Sequence, residues 1–205
     1  DGRIYVTARR STPEDEIACV CFDDSGQLIW RRRICVSLRN SPDHYNLIGH
    51  RILTWGNGQI FVNTGTGAIA ALDAQDGKLN WIVTYRSNVE MNLARVNDPK
   101  QVALETCLYK NGVVFVAPAD SNQLFALEAS TGHLIWHKPD HDRVLDLLGV
   151  VNNQLITGGR NAVAFDVRTG EKNWQAGHED ADSWNYGRGW LTASHLYRPT
   201  RTTIE

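Results

Sequence analysis

Leu127-Glu128-Ala129-Ser130-Thr131-Gly132-His133-Leu134-Ile135-Trp136 is one of four copies of a single phrase in this chain. The others are Phe22 to Trp30 (FDDSGQLIW), Leu72 to Trp81 (LDAQDGKLNW) and Phe165 to Trp174 (FDVRTGEKNW). Every copy ends in Gly-x-x-x-Trp, and three carry an acid eight residues before the Trp. The first copy is one residue shorter in its turn. Repetition at a fixed period decides the architecture before any single residue can be interpreted.

A second phrase precedes each of these. Asn57-Gly58-Gln59-Ile60-Phe61-Val62 matches Asp1-Gly2-Arg3-Ile4-Tyr5-Val6 and Asn111-Gly112-Val113-Val114-Phe115-Val116. Asn152-Asn153-Gln154-Leu155-Ile156-Thr157 is a looser copy. Asn-Gly and Asp-Gly accept the positive φ of tight hairpin turns. The flanking runs are β-branched, aromatic and apolar, as strands are, and no segment sustains a helical period. Each unit therefore reads as turn, strand, connection, strand, acid-glycine turn, strand ending near the Trp. A further strand fits before each Asn-Gly turn, at residues 51–54, 103–109 and 144–151. The Trp residues recur at roughly 40 to 55 residues, the scale of one four-stranded propeller blade. The expected fold is all-β: a β-propeller of four-stranded antiparallel blades, with repeats at about 1–50, 51–102, 103–143 and 144–184.

A partial fifth repeat is expected at 185–205. Gly189 to Ser194 reads as its first strand, with a second beginning near Thr202. The overhang is expected if the chain is an excerpt of a six- to eight-bladed ring. The recurrent Trp30, Trp81, Trp136 and Trp174 read as flat rings packed between blades. The acids Asp23, Asp73, Glu128 and Asp166 read as turn residues that accept bonds from the backbone just ahead.

The pattern Ala-x-Asp-x-x-Thr-Gly-x-x-x-Trp, cleanest at Ala71–Trp81, Ala126–Trp136 and Ala164–Trp174, resembles the tryptophan-docking repeat of pyrroloquinoline-quinone-like (quinoprotein) β-propellers. The resemblance covers nearly the whole chain and implies the fold. It spans several functions: quinoprotein alcohol dehydrogenases, an outer-membrane assembly lipoprotein, and many scaffolds. It implies a bacterial, periplasmic or cell-surface setting. For the dehydrogenases it implies pyrroloquinoline quinone with calcium on the ring axis, against a disulfide between two adjacent cysteines. This chain has no Cys-Cys pair, and no calcium-site motif matches residue by residue. No Gly-x-Ser-x-Gly, Gly-x-x-x-x-Gly-Lys-Ser/Thr or His-Glu-x-x-His occurs. The expectation is a non-catalytic scaffold or binding module with a protein partner, completed by the remaining blades of its parent ring, with no cofactor; part of a quinoprotein oxidoreductase is the alternative.

Composition narrows the partners. A formal net charge of −2 in 205 residues argues against a nucleic-acid surface. Arg31-Arg32-Arg33, the only basic run, reads as a solvated edge strand. No stretch approaches the ~20 apolar residues of a membrane span. Cys19 and Cys21 share one strand face, where a mutual bridge is strained. Buried free thiols are the expected state, with a Cys35–Cys107 bridge left open. The seven histidines do not cluster; His133, His137 and His141 lie on a strand leaving for a loop, so helical His-x-x-x-His logic fails there. The most site-like stretch is 178–190. There His178, Glu179, Asp180, Asp182, Trp184 and Trp190 combine carboxylates suited to a hard cation with rings suited to a planar ligand.

Overall fold

The computed structural model describes residues 2–10, 15–37, 52–87, 106–139, 144–159, 161–177 and 188–199. Every regular element among them is a strand. The first sheet is β1 (Ile4–Arg10), β2 (Asp15–Phe22) and β3 (Leu28–Ser37). The second is β4 (Thr54–Gly56), β5 (Gln59–Asn63), β6 (Ala68–Asp73) and β7 (Leu79–Thr84). The third is β8 (Cys107–Lys110), β9 (Val113–Val116), β10 (Gln123–Glu128) and β11 (Leu134–Pro139). The fourth is β12 (Val144–Val151), β13 (Gln154–Gly159), β14 (Ala162–Asp166) and β15 (Lys172–Ala176). A short pair, β16 (Trp190–Leu191) and β17 (Leu196–Tyr197), follows. Within each sheet the strands pair antiparallel in chain order.

Local chemistry explains each hairpin. Asn57 and Gly58 have φ of 50° and 75°, and Asn111 and Gly112 have 48° and 82°, as a two-residue type I′ turn demands. The fourth sheet uses Asn152 and Asn153 at 48° and 59°, since Asn tolerates the left-handed region better than other side chains. In the wider turns the acid organises the backbone. Asp73 Oδ1 accepts from Gln75 and Asp76 N–H, and Asp166 Oδ1 from Arg168 and Thr169 N–H. These bonds hold the Asp166 carboxyl below the usual range, as the Ser25 hydroxyl and the Gln27 N–H do for Asp23. Glu128 reaches too far for this geometry and takes the Thr131 hydroxyl instead.

A bulge recurs at one place in all four hairpins. The register shifts between Cys21 and Phe22, Ala71 and Leu72, Ala126 and Leu127, and Ala164 and Phe165. Ile29, Asn80, Ile135 and Asn173 are the residues passed over. The four Trp residues consequently face Cys21, Ala71, Ala126 and Ala164 across the ladder. The alanine of the repeated phrase is thus the small cross-strand neighbour of a large ring, and Cys21 replaces it in the first sheet.

Three apolar clusters lie between consecutive sheets. Ile17, Cys19, Ile60 and Leu72 join the first to the second, and Phe61, Trp81, Val114 and Leu127 the second to the third. Phe115, Trp136, Leu155 and Val163 join the third to the fourth. Middle strands are buried on both faces, which is why β5 and β6 read as apolar runs rather than alternations. The first strands approach one another in series, β4 to β8, β8 to β12 and β12 to β16. They form the inner, axis side of a β-propeller.

The strand paired with β16 begins at Leu196, and the strand expected near Thr202 lies outside the described residues. Thr192 Oγ1 accepts from Ser194 and His195 N–H and reverses the chain early. The arginine run is exposed on edge strand β3, as expected, and it also makes specific contacts. Arg31 pairs with buried Glu16, which Arg10 also contacts at 3.0 Å, and Arg32 Nε donates to Gly77 O of the next sheet at 2.8 Å. The hydrogen bond from Arg31 holds the Glu16 carboxyl below its usual range.

No disulfide joins any of the four cysteines, so the Cys35–Cys107 bridge is not formed. Cys35 lies against the first core cluster and Cys107 within the second. Burial pushes the Cys19 and Cys107 thiols up to about 12, leaving almost no thiolate at pH 8. Iodoacetamide at pH 8 is expected to label half-buried Cys35 first, and Cys19 and Cys107 only after urea. Mass spectrometry of timed samples checks this; native labelling of Cys107 at the rate of Cys35 contradicts it.

Candidate binding surfaces along the inter-blade seams

The Trp residues stand at the seams. Trp30 Nε1 donates to Ala74 O at 3.4 Å, Trp81 to Ala129 O at 2.9 Å and Trp136 to Val167 O at 2.8 Å. Each acceptor lies in the wide turn of the following sheet. Each ring also covers that turn's glycine: a Cβ built on Gly77, Gly132 or Gly170 falls 2.6, 2.7 or 2.7 Å from the indole. Only glycine fits, for space and because φ there is 69° to 75°. Trp174 differs. Its Nε1 donates to Gln154 Oε1 of its own sheet and the ring is 38% exposed. It borders a recess of about 160 Å³ shared with Leu191 and Leu196.

The aromatic-acidic stretch is only partly placed. His178, Glu179, Asp180, Asp182 and Trp184 lie outside the described residues, as do His44, His50 and His141. Trp190 stands on β16 and is 73% exposed; Trp55 on β4 is 64% exposed. Both belong to first strands of their sheets, the strands that converge on the axis side. Sequence reading did not single out Trp55, because it lies outside the repeated phrase.

The axis side carries one buried carboxylate. Asp146 on β12 is 7% exposed. Burial raises its pKa, and the Arg188 guanidinium, which also donates to Leu147 O at 3.0 Å, pulls it back only in part. A carboxyl whose pKa is raised on folding contributes stability that is complete below its unfolded value, near 3.9, and is lost as pH rises through the folded one. Asp146→Asn is therefore expected to raise the melting temperature more at pH 7 than at pH 4. Melts at both pH values check it; an equal shift at both contradicts the sign.

Among the described residues no three His, Cys, Asp or Glu side chains gather at metal-holding distances. The axis carboxylate Asp146 faces an arginine instead. His133 is exposed beside Glu128, and His137 Nδ1 meets Gln123 Oε1 at 3.0 Å. No helix among the described residues is long and apolar enough to cross a membrane.

The family model PQQ_2, described as outer membrane protein assembly factor BamB, matches residues 1–105 and 102–189. The chain belongs to this PQQ-like repeat family. It is 30% identical over 138 residues to outer membrane protein assembly factor BamB of Vibrio cholerae, covering 61% of this chain and 33% of that protein. It is 29% identical over 138 residues to the dehydrogenase subunit of a quinone alcohol dehydrogenase of Gluconobacter oxydans, covering 58% and 18%. Among solved structures, BamB from Moraxella catarrhalis superposes with TM-score 0.58 at 15% identity, over 98% of this chain and 60% of that one. Quinohemoprotein alcohol dehydrogenase ADHIIG from Pseudomonas putida gives 0.60 at 13% identity, over 98% and 38%. At such identities the superpositions establish the propeller fold. The chain spans a third or less of the length of these curated relatives.

Proposed function

We propose that this chain is a non-catalytic propeller module of a larger periplasmic or cell-surface bacterial protein, which binds a protein partner. One observation carries the reading: two largely exposed indoles, Trp55 and Trp190, stand on the converging first strands. Exposed tryptophans are disproportionately interface anchors, because a large ring gains much by leaving water. The turn acids Asp73 and Asp166, the wide-turn glycines and the seam tryptophans are meanwhile occupied in holding the blades. The BamB relative, named as an assembly factor, supports a scaffold role. The quinone alcohol dehydrogenase relative favours a second reading, in which the chain is part of a quinoprotein oxidoreductase.

Titrating pyrroloquinoline quinone and calcium into the full-length parent separates the two. The scaffold reading expects no saturable binding and no alcohol-dependent dye reduction. Stoichiometric binding with dye reduction overturns it in favour of the oxidoreductase.

A further inference from the structure

The seams are not equivalent at their outer rim. Two residues after its docking Trp, the first sheet has Arg32 and the third has Lys138. Both reach across: Arg32 to Gly77 O, and Lys138 Nζ to the Glu171 carboxylate beside Gly170. The second sheet has Val83 at this position, too short and apolar to bridge, and its counterpart to Glu171 is His133. The seam between the second and third sheets therefore lacks the strap that closes its neighbours.

Beside it lies a cleft of about 820 Å³, within the roughly 300–1,000 Å³ range of small-molecule sites. Its floor is aromatic. Phe125 stacks on His137 at 6.4 Å and 29°, and meets Tyr85 at 5.6 Å. Tyr85 is fixed from below, its hydroxyl donating to buried Asp120 at 2.6 Å. Arg86 lines the rim, with amides and hydroxyls, and none of the described lining residues is acidic. His137 and Gln123 hold each other through Nδ1 and Oε1. A preformed aromatic floor lowers the ordering cost of binding a ring-bearing molecule. A guanidinium at the edge selects a carboxylate, which it can grip with two parallel N–H bonds.

We propose that this inter-blade cleft binds a small aromatic carboxylate, its ring on Phe125 and Tyr85 and its carboxylate at Arg86. The proposal is independent of the partner-binding reading, since it uses neither Trp55 nor Trp190. The test titrates indole-3-acetate into the full-length protein, followed by saturation-transfer NMR, with indole and tryptamine as the neutral and cationic counterparts. Saturable binding of indole-3-acetate is expected in the millimolar range or tighter, with indole about tenfold weaker, as the loss of one charged hydrogen-bonded contact gives. Arg86→Gln should erase that preference, and Phe125→Ala should weaken all ring-bearing probes.

Urea melts of both variants separate the loss of a contact from unfolding: exposed Arg86→Gln should leave the midpoint unchanged. The proposal is overturned by absence of saturable binding in the millimolar range, by equal affinity for indole, or by an Arg86→Gln protein that keeps the full preference for indole-3-acetate.

Discussion

Trp136→Ala is expected to lower the stability of this chain by about 3–5 kcal/mol, the usual cost of removing a large buried aromatic ring. The ring is 7% exposed, lies 6.0 Å from Phe115, and caps Gly170 of the following sheet. Truncation leaves a void at the joint between two sheets and orphans the Val167 carbonyl that the indole N–H satisfied. In a repeat fold the joints carry the stability, because each blade alone cannot bury both faces. His133→Ala three residues earlier should shift it by less than about 0.5 kcal/mol, as exposed substitutions do. Paired urea melts decide it. Equal midpoint shifts for the two variants would remove the seam from the account of stability.

Gly132→Ala is expected to cost about 2–5 kcal/mol, from two penalties that add. The residue sits at φ 75°, where an L side chain is strained by about 1–2 kcal/mol. Its new methyl would also stand 2.7 Å from the Trp81 ring, forcing the indole off the turn, and such overpacking costs about 1–3 kcal/mol. Gly112→Ala isolates the first penalty. It has φ 82° but nothing within 4 Å of the new methyl, so about 1–2 kcal/mol should be lost. Chemical denaturation of both variants, with indole fluorescence as the probe, tests the difference. If Gly132→Ala costs no more than Gly112→Ala, the close approach of Trp81 is not a stabilising contact.

What was legible in the sequence was whatever recurs. The Asn-Gly turns and the β-branched runs announced the strands and hence the all-β propeller, since each copy supports the others. Strand edges were less readable: 51–54 became Thr54–Gly56 and 103–109 became Cys107–Lys110, while 144–151 kept its bounds. Contacts that break the period left no trace. Arg32 meets Gly77 45 residues on, and Lys138 meets Glu171 33 residues on. Nothing local distinguishes a basic residue that spans a seam from one that faces water. Tyr85 on Asp120 was hidden for the same reason, both lying beside the repeated phrase rather than in it. The stretch with the richest chemical vocabulary, 178–187, lies outside the described residues, so its residue types remain its whole content.

The direction of the indole bonds has a consequence for synthesis. Trp30, Trp81 and Trp136 each bond forward, to a carbonyl 44, 48 or 31 residues later. None of these three bonds back to a sheet already made. A growing chain must therefore emerge by those lengths past each indole before that ring can be sheltered. The newest finished blade always presents one bare tryptophan to whatever meets the nascent chain. The seam of each blade is thus completed by the blade that follows it in the chain.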